Sequence, residues 1–379
     1  MSDRSLFSNL IAWYDNNRRI LPWREDPTPF HVWLSEIMLQ QTRVEAVRGY
    51  YERFLKAIPD IESLAAAEEE TILKLWEGLG YYSRARNLRR AAQVIMEKYD
   101  GQMPDNAKEL MEIPGIGPYT AAAIASISYG RKEAAVDGNL LRVFSRMTAY
   151  GEDIKRPETK KAAEQFFLQL MELPDSCDVD FSEQKDSHEQ CRNIYGDFNQ
   201  ALMDLGATIC LPNSEPHCGE CPWSEHCRAH LCGEETSYPI MPEKKKRKTE
   251  EKTVLLIRYN NRYVVHRRPS EGLLAGLYEF PMADGTLTEE EALQEGERIG
   301  FSALRIRKAG EAKHIFTHKE WHMTGYEITA DELAEAFDRP EKGEADPAYI
   351  LADREEILSR YPMPSALEKY KKYVLSRIK

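Results

Sequence analysis

At 379 residues and 42% hydrophobic content, the chain is long enough for two ordinary domains with real cores. Its opening, MSDRSLFSNLIAWYDNN, has neither a basic start nor an unbroken apolar core, and no apolar run could span a bilayer, so neither export nor a membrane span is expected. A formal net charge of −12 excludes a protein that coats nucleic acid, though not one that grips it locally.

Residues 1 to about 230 read as almost entirely helical. Apolar residues recur at helical spacing in SLFSNLIAWYD, FHVWLSEIMLQQ, RVEAVRGYYERFLKAI, ETILKLWEGL, RARNLRRAAQVIMEKY and PYTAAAIASISYG. Pro59, Gly78, Gly80, Gly101 and Gly130 fall where helices should stop. VWLSEIML sets Glu36 among Trp33, Leu34, Ile37 and Met38. A carboxylic acid in apolar surroundings stays protonated near neutral pH and can act as a general acid; on a solvent-facing helix face it would have no such role. SRARNLRR (83–90) carries Arg84, Arg86, Arg89 and Arg90 with no acid, a local basic patch.

In IPGIGPYTAAA (113–123), Gly115 and Gly117 allow a tight turn and Pro118 suits the first turn of the helix that follows. Backbone N–H groups at such a helix start form a phosphate cradle, although a plain interhelical turn uses the same glycines. Asp137, in AAVDGNLLRVFSR, precedes a helical pattern and suits an N-cap. An acid with a nearby ionised carboxylate is also what glycosidic cleavage needs, because positive charge develops on the sugar. Residues 172–191 hold seven acids against one base, Lys185, a net of −6 that reads as a solvated loop.

Cys210, Cys218, Cys221 and Cys227 follow as C-x7-C-x2-C-x5-C at the end of the helical pattern NQALMDLGATIC. Four thiolates in one short loop suit a soft metal or an iron–sulfur cluster, and the spacing alone leaves zinc and Fe–S both open. Without an export signal the cysteines point to a reducing compartment and to ligand chemistry, with Cys177, Cys191 and Cys232 left as free thiols. Residues 233–252, with Pro239, Pro242 and KKKRK (244–248), form a linker by composition; the basic run reads as solvated linker in preference to a nuclear import signal. From 253 the period changes: KTVLLIRY and RYVVHRRP flank Asn260-Asn261, a hairpin signal, HIFTHKEWHMTGYEI alternates, and helical stretches follow near 353–360 and 364–376. This half is α/β or α+β.

The IPGIG hairpin, the downstream Asp137 and the four-cysteine loop together resemble the endonuclease III superfamily of DNA glycosylases. Within it, VWLSEIMLQQT (32–42), GLGYYSRARN (78–87), VDGNLLRVFSR (136–146), FNQALMDLGA (198–207) and LLAGLYEFP (273–281) resemble the adenine-specific mismatch glycosylases, the MutY type. The resemblance implies an all-α helix–hairpin–helix glycosylase domain with an iron–sulfur loop over 1–232, the linker, and a Nudix-like α/β domain over 253–379. It implies removal of adenine mispaired with 8-oxoguanine or guanine in double-stranded DNA, by a cytoplasmic, nucleoid-associated monomer of bacterial type.

By matching positions, Glu36 is the acid that protonates adenine, Asp137 the carboxylate that stabilises or traps the sugar cation, and Asn139 the residue that holds Asp137. Tyr119 occupies the place of the Schiff-base lysine of strand-cleaving relatives; a phenol cannot form an imine, so no strand cleavage is expected. Trp23, Arg24 and Gln200 match the adenine pocket, and Gln41 and Tyr81 match residues that wedge into the DNA stack. The four cysteines match [4Fe–4S] ligands. Phe316, Thr317 and His318 match the loop that reads 8-oxoguanine, with threonine replacing the usual serine.

Other departures are a first cysteine gap one residue longer than usual, the acidic stretch, and Tyr278 in place of tryptophan. The carboxylate run of the full Nudix signature is absent, so pyrophosphatase activity is not expected. The alternatives are a pyrimidine-lesion glycosylase with lyase activity and a non-catalytic Fe–S protein that binds damaged DNA.

Overall fold

A computed structural model describes residues 3–172, 192–242, 246–333 and 349–378. The chain forms two compact units, Met1–Ala66 with Arg90–Glu243, and Ala67–Arg89 with Lys244–Lys379. The sequence reading kept 1–232 together, whereas residues 67–89 pack with the C-terminal segment. The acidic stretch lies outside the described residues from position 173 onward.

The described part of the first unit is helical. In the helix Asp3–Asn17, Phe7, Leu10, Ile11 and Tyr14 recur at i, i+3, i+4 and i+7 and are buried. They join a core with Val143 and Phe144 of the helix Gly138–Thr148 and with Phe198, Leu202 and Leu205 of the helix Ile194–Thr208. Phe7 stacks on Phe198 with ring centres 4.8 Å apart. Burial of each such side chain contributes about 1.5–3 kcal/mol.

The helix Pro29–Leu39 starts where Thr28 accepts a hydrogen bond from His31 N at 3.3 Å and Pro29 supplies a preset φ. It is apolar on nearly every side and is therefore buried, which carries Glu36 into the interior. The IPGIG turn feeds the helix Pro118–Tyr129, capped by Gly117 and ended by Gly130 in a left-handed conformation.

The second unit holds a seven-stranded sheet. Its strands are β1 (Lys248–Tyr259), β2 (Arg262–Arg267), β3 (Tyr278–Glu279), β4 (Met282–Asp284), β5 (Phe301–Ile315), β6 (Lys319–Leu333) and β7 (Tyr349–Ala352). The order is β3-β2-β1-β6-β5, with β4 on β1 and β7 on β2; β1 and β6 run parallel and the other pairs antiparallel. Asn260 and Asn261, at φ 42° and 64°, make the expected hairpin turn. Period-two alternation sorts β1: Val254 and Leu256 enter the core with Tyr370 and Val374 of the helix Glu368–Leu375, while Leu255 and Ile257 enter the core with Ala292 of the helix Glu289–Arg298.

Within this unit, residues 67–89 are fastened to the C-terminal segment by specific bonds. Lys74 Nζ donates to the carbonyls of Ile357 and Tyr361, both at 3.3 Å, and Arg267 pairs with Glu69 and Glu70 at 3.2 and 3.0 Å. Arg86 donates to the carbonyl of Ala275 in the LLAGL loop.

Candidate active site and cysteine loop

In the first unit, a cavity of about 770 Å³ is lined by Trp23, Arg24, Glu36, Gln41, Gly115, Gly117, Tyr119, Asp137, Asn139 and Gln200. Every residue that the sequence analysis placed in the pocket, the catalytic pair or the hairpin of this unit therefore faces one space. Glu36 is 6% exposed. Burial, first, and the nearby Asp137 push its carboxyl up to about 7, against the hydrogen bond from Tyr119. That bond runs from Tyr119 Oη to Glu36 Oε2 at 2.5 Å, and burial holds the phenol well above its ordinary range.

Asp137 is the N-cap of Gly138–Thr148 and also faces the cavity. Its Oδ1 accepts from Asn139 N and Leu140 N at 2.8 Å each, and its Oδ2 accepts from Asn139 Nδ2 at 2.9 Å. Burial raises its carboxyl, while these donors restrain the rise. A neutral acid and a hydrogen-bonded carboxylate around one cavity can protonate a leaving group and stabilise a cation.

Two charged residues that the sequence reading did not single out organise this site. Asp204 is fully buried and accepts from Arg24 Nη1 at 2.8 Å, Arg24 Nη2 at 2.9 Å and Arg19 Nε at 2.7 Å. It fixes the Arg24 guanidinium on the pocket wall. Arg142 donates to Asn139 Oδ1 at 2.9 Å, to Gly206 O at 2.7 Å and to Cys210 O at 2.8 Å, which links the Asp137–Asn139 pair to the cysteine loop. Only glycine allows this approach at 206, because an added Cβ would stand 2.8 Å from Asn139 Cβ. The signals were the i,i+3 spacing of Asn139 and Arg142 and the i,i+4 spacing of Gln200 and Asp204.

Cys210, Cys218, Cys221 and Cys227 line one cavity with Val143, Leu205 and Trp223, and Trp223 Nε1 anchors the loop to Leu6 O at 2.8 Å. Arg146 Nη1 points at Cys210 Sγ, 3.2 Å away. Burial pushes the Cys218 thiol up to about 11 and the Cys221 thiol up to about 12, so both need a bound cation to ionise. Among the described residues the one set of three candidate ligand atoms within 4.8 Å of one another is Cys218, His230 and Glu235. Four thiolates of this kind suit either a tetrahedral zinc or an iron–sulfur cluster.

The second unit places Phe316, Thr317 and His318 at the turn joining β5 and β6, with Thr317 and His318 exposed. The Phe316 ring sits edge-on to Trp321 at 4.8 Å and to His314 at 4.6 Å. Tyr81 Oη and Thr317 Oγ1 share a hydrogen bond at 2.6 Å. Tyr81 is 45% exposed, and its φ of 46°, like the 57° of Gln41 in the first unit, is a conformation that non-glycine residues rarely hold. Both residues read as DNA wedges thus carry local strain.

Among the described residues no helix is long and apolar enough to cross a membrane. The sequence matches the HhH-GPD superfamily of base excision DNA repair proteins over residues 34–169 and the NUDIX domain over 253–373. The adenine DNA glycosylase of Buchnera aphidicola subsp. Schizaphis graminum is 34% identical over 321 residues, covering 84% of this chain and 85% of that protein. The adenine DNA glycosylase of Arabidopsis thaliana is 33% identical over 98% of this chain, which spans 64% of that longer protein. Among solved structures, a thermostable thymine-DNA glycosylase superposes with a TM-score of 0.50 at 26% identity, covering 61% of this chain and 97% of the other. With a helical repair domain, a Nudix-like domain and this identity along most of its length, the chain belongs to the adenine DNA glycosylase family.

Proposed function

We propose that this chain is a monofunctional adenine glycosylase of base excision repair, acting as a monomer on adenine opposite 8-oxoguanine or guanine in duplex DNA. The observation that carries the reading is a buried glutamic acid with a carboxyl raised to about 7, sharing a cavity with the hydrogen-bonded Asp137. The flipped adenine enters between Trp23, Arg24 and Gln200, and the neutral fraction of Glu36 protonates the departing ring. Asp137, held by Asn139, stabilises the cation that develops on the sugar. Tyr119 has no amine to attack the sugar carbon, which disfavours the lyase alternative. Acting on chromosomal DNA, it would work in the cytoplasm at the nucleoid.

The loop reading follows from chemistry of the same kind. Phe316, Thr317 and His318 offer a ring, a hydroxyl and an imidazole at an exposed turn, and Gln41 and Tyr81 serve as wedges. Gly115 and Gly117 expose backbone N–H groups to a DNA phosphate. Single-turnover excision on two duplexes, A opposite 8-oxoguanine and A opposite guanine, tests this: the first should be faster, and equal rates would remove the lesion-reading role.

Cys210, Cys218, Cys221 and Cys227 would hold a [4Fe–4S] cluster, which when bound cross-links the loop at the end of the helix Ile194–Thr208. Purified protein should contain about four irons per chain and be yellow-brown. Cys218→Ser should lose iron and solubility, and stoichiometric zinc without iron after anaerobic purification would contradict the assignment.

Because the acid works protonated, excision should fall as pH rises through about 7, the value to which Glu36 is pushed. Tyr119→Phe removes a hydrogen bond that holds Glu36 down, so Glu36 should rise further and the alkaline limb should move to higher pH. Movement of that limb to lower pH would refute the arrangement.

A further inference from the structure

Glu77 has no place in the pocket, yet it stands at the base of the loop whose tip is Tyr81. Gly78, Gly80 and Tyr81 take φ of 103°, 70° and 46°, so the loop is sharply turned, and Trp76 Nε1 and Arg84 Nη2 brace it by donating to the Gly80 carbonyl at 3.1 Å each. Glu77 Oε1 accepts from Lys371 Nζ at 2.5 Å and from Met363 N at 3.2 Å, and Oε2 accepts from Lys74 Nζ at 2.7 Å. The side chains of Glu77 and Lys371 are 19% and 11% exposed. Lys371 lies on the helix Glu368–Leu375, which packs against the sheet that ends in the 316–318 turn. The base of the wedge loop is thus clamped to the C-terminal helix, and its tip is bonded to Thr317.

We propose that Glu77, through its clamp on Lys371 and Met363 N, is a positioning residue that sets opposite-base discrimination by fixing Tyr81 against the 316–318 turn. The proposal rests on the lesion-reading role of that turn given above. A neutral amide at 77 can still accept one hydrogen bond, but it leaves the Lys371 charge poorly compensated in a half-dry site, and the loop base loosens. The bonds within the loop, such as those from Trp76 Nε1 and Arg84 Nη2 to the Gly80 carbonyl at 3.1 Å each, keep its shape, but its seat on the C-terminal segment loosens and the geometry offered to the opposite base spreads. If the ion pair only stabilised the fold, its loss would lower the unfolding midpoint and leave discrimination alone.

The test is single-turnover excision by the full chain on the A·8-oxoguanine and A·guanine duplexes, with unfolding midpoints measured alongside. Glu77→Gln should lower the ratio of the two rates about tenfold, comparable to losing one specific base contact, while the A·guanine rate stays within about threefold of wild type. Lys371→Gln should move the ratio in the same direction, Lys371→Arg should keep it, and these variants carry the test if Glu77→Gln does not fold. Phe316→Ala separates the two claims. If Phe316→Ala lowers the ratio and the Glu77 and Lys371 variants do not, whatever their effect on both rates together, the clamp is overturned. If Phe316→Ala also leaves the ratio intact, the lesion-reading role of the turn fails and the clamp with it.

Discussion

Glu36→Gln leaves a protein that binds duplex DNA nearly as tightly as wild type and excises adenine slower by about 10²–10⁴, the usual worth of a positioned general acid. Glutamine has the same shape and can still accept the Tyr119 hydrogen bond now made to Glu36 Oε2. It removes the buried carboxyl, and with it the only change that matters, a proton held near neutral pH. The measurement is single-turnover excision beside equilibrium binding to an A·8-oxoguanine duplex. Loss of binding in proportion to the loss of rate would show that Glu36 contributes contact and not a proton.

The second large effect is expected at Asp137, where structure and chemistry must be separated. Asp137 caps the helix Gly138–Thr148 through Asn139 N and Leu140 N, so Asp137→Ala should cost about 1 kcal/mol of stability along with activity. Asparagine is an equally good cap, so Asp137→Asn should keep the unfolding midpoint and isolate the missing negative charge. Losing electrostatic stabilisation aimed at a developing charge typically costs about 10²–10³ in rate. Asp137→Asn should therefore be well folded and slow by at least that factor. Near-normal excision by the Asp137→Asn variant would leave Asp137 as a cap and nothing more.

How much of this was legible in the sequence depends on whether the signal was local. The burial of Glu36 followed from its apolar neighbours, and the hairpin from Asn260-Asn261; both lie where short-range pattern decides the outcome. The coexistence of cap and cavity residue at Asp137 was half legible, because the N-cap pattern is local and the cavity is not. Asp204 and Arg142 were missed for the opposite reason. A charged residue on an amphipathic helix looks solvated until its partners arrive from elsewhere, here Arg19 and Arg24 about 180 residues away in sequence. The grouping of 67–89 with the C-terminal segment was hidden in the same way, since Glu77, Lys74 and Arg86 carry no mark of their distant partners. Cysteine spacing announced a metal or cluster loop, and the fold brings all four thiols to one cavity.

The central claim is that an acid and a carboxylate, without an amine at 119, cut the bond between adenine and its sugar and nothing else. It is tested most directly by incubating the protein with a duplex carrying adenine opposite 8-oxoguanine, assaying released base, and running the labelled strand before and after hot alkali. The account predicts free adenine in stoichiometric amount, an intact strand before alkali and a single break at the adenine position after it. Efficient nicking before alkali, or an alkali-resistant strand with no adenine released, would contradict it.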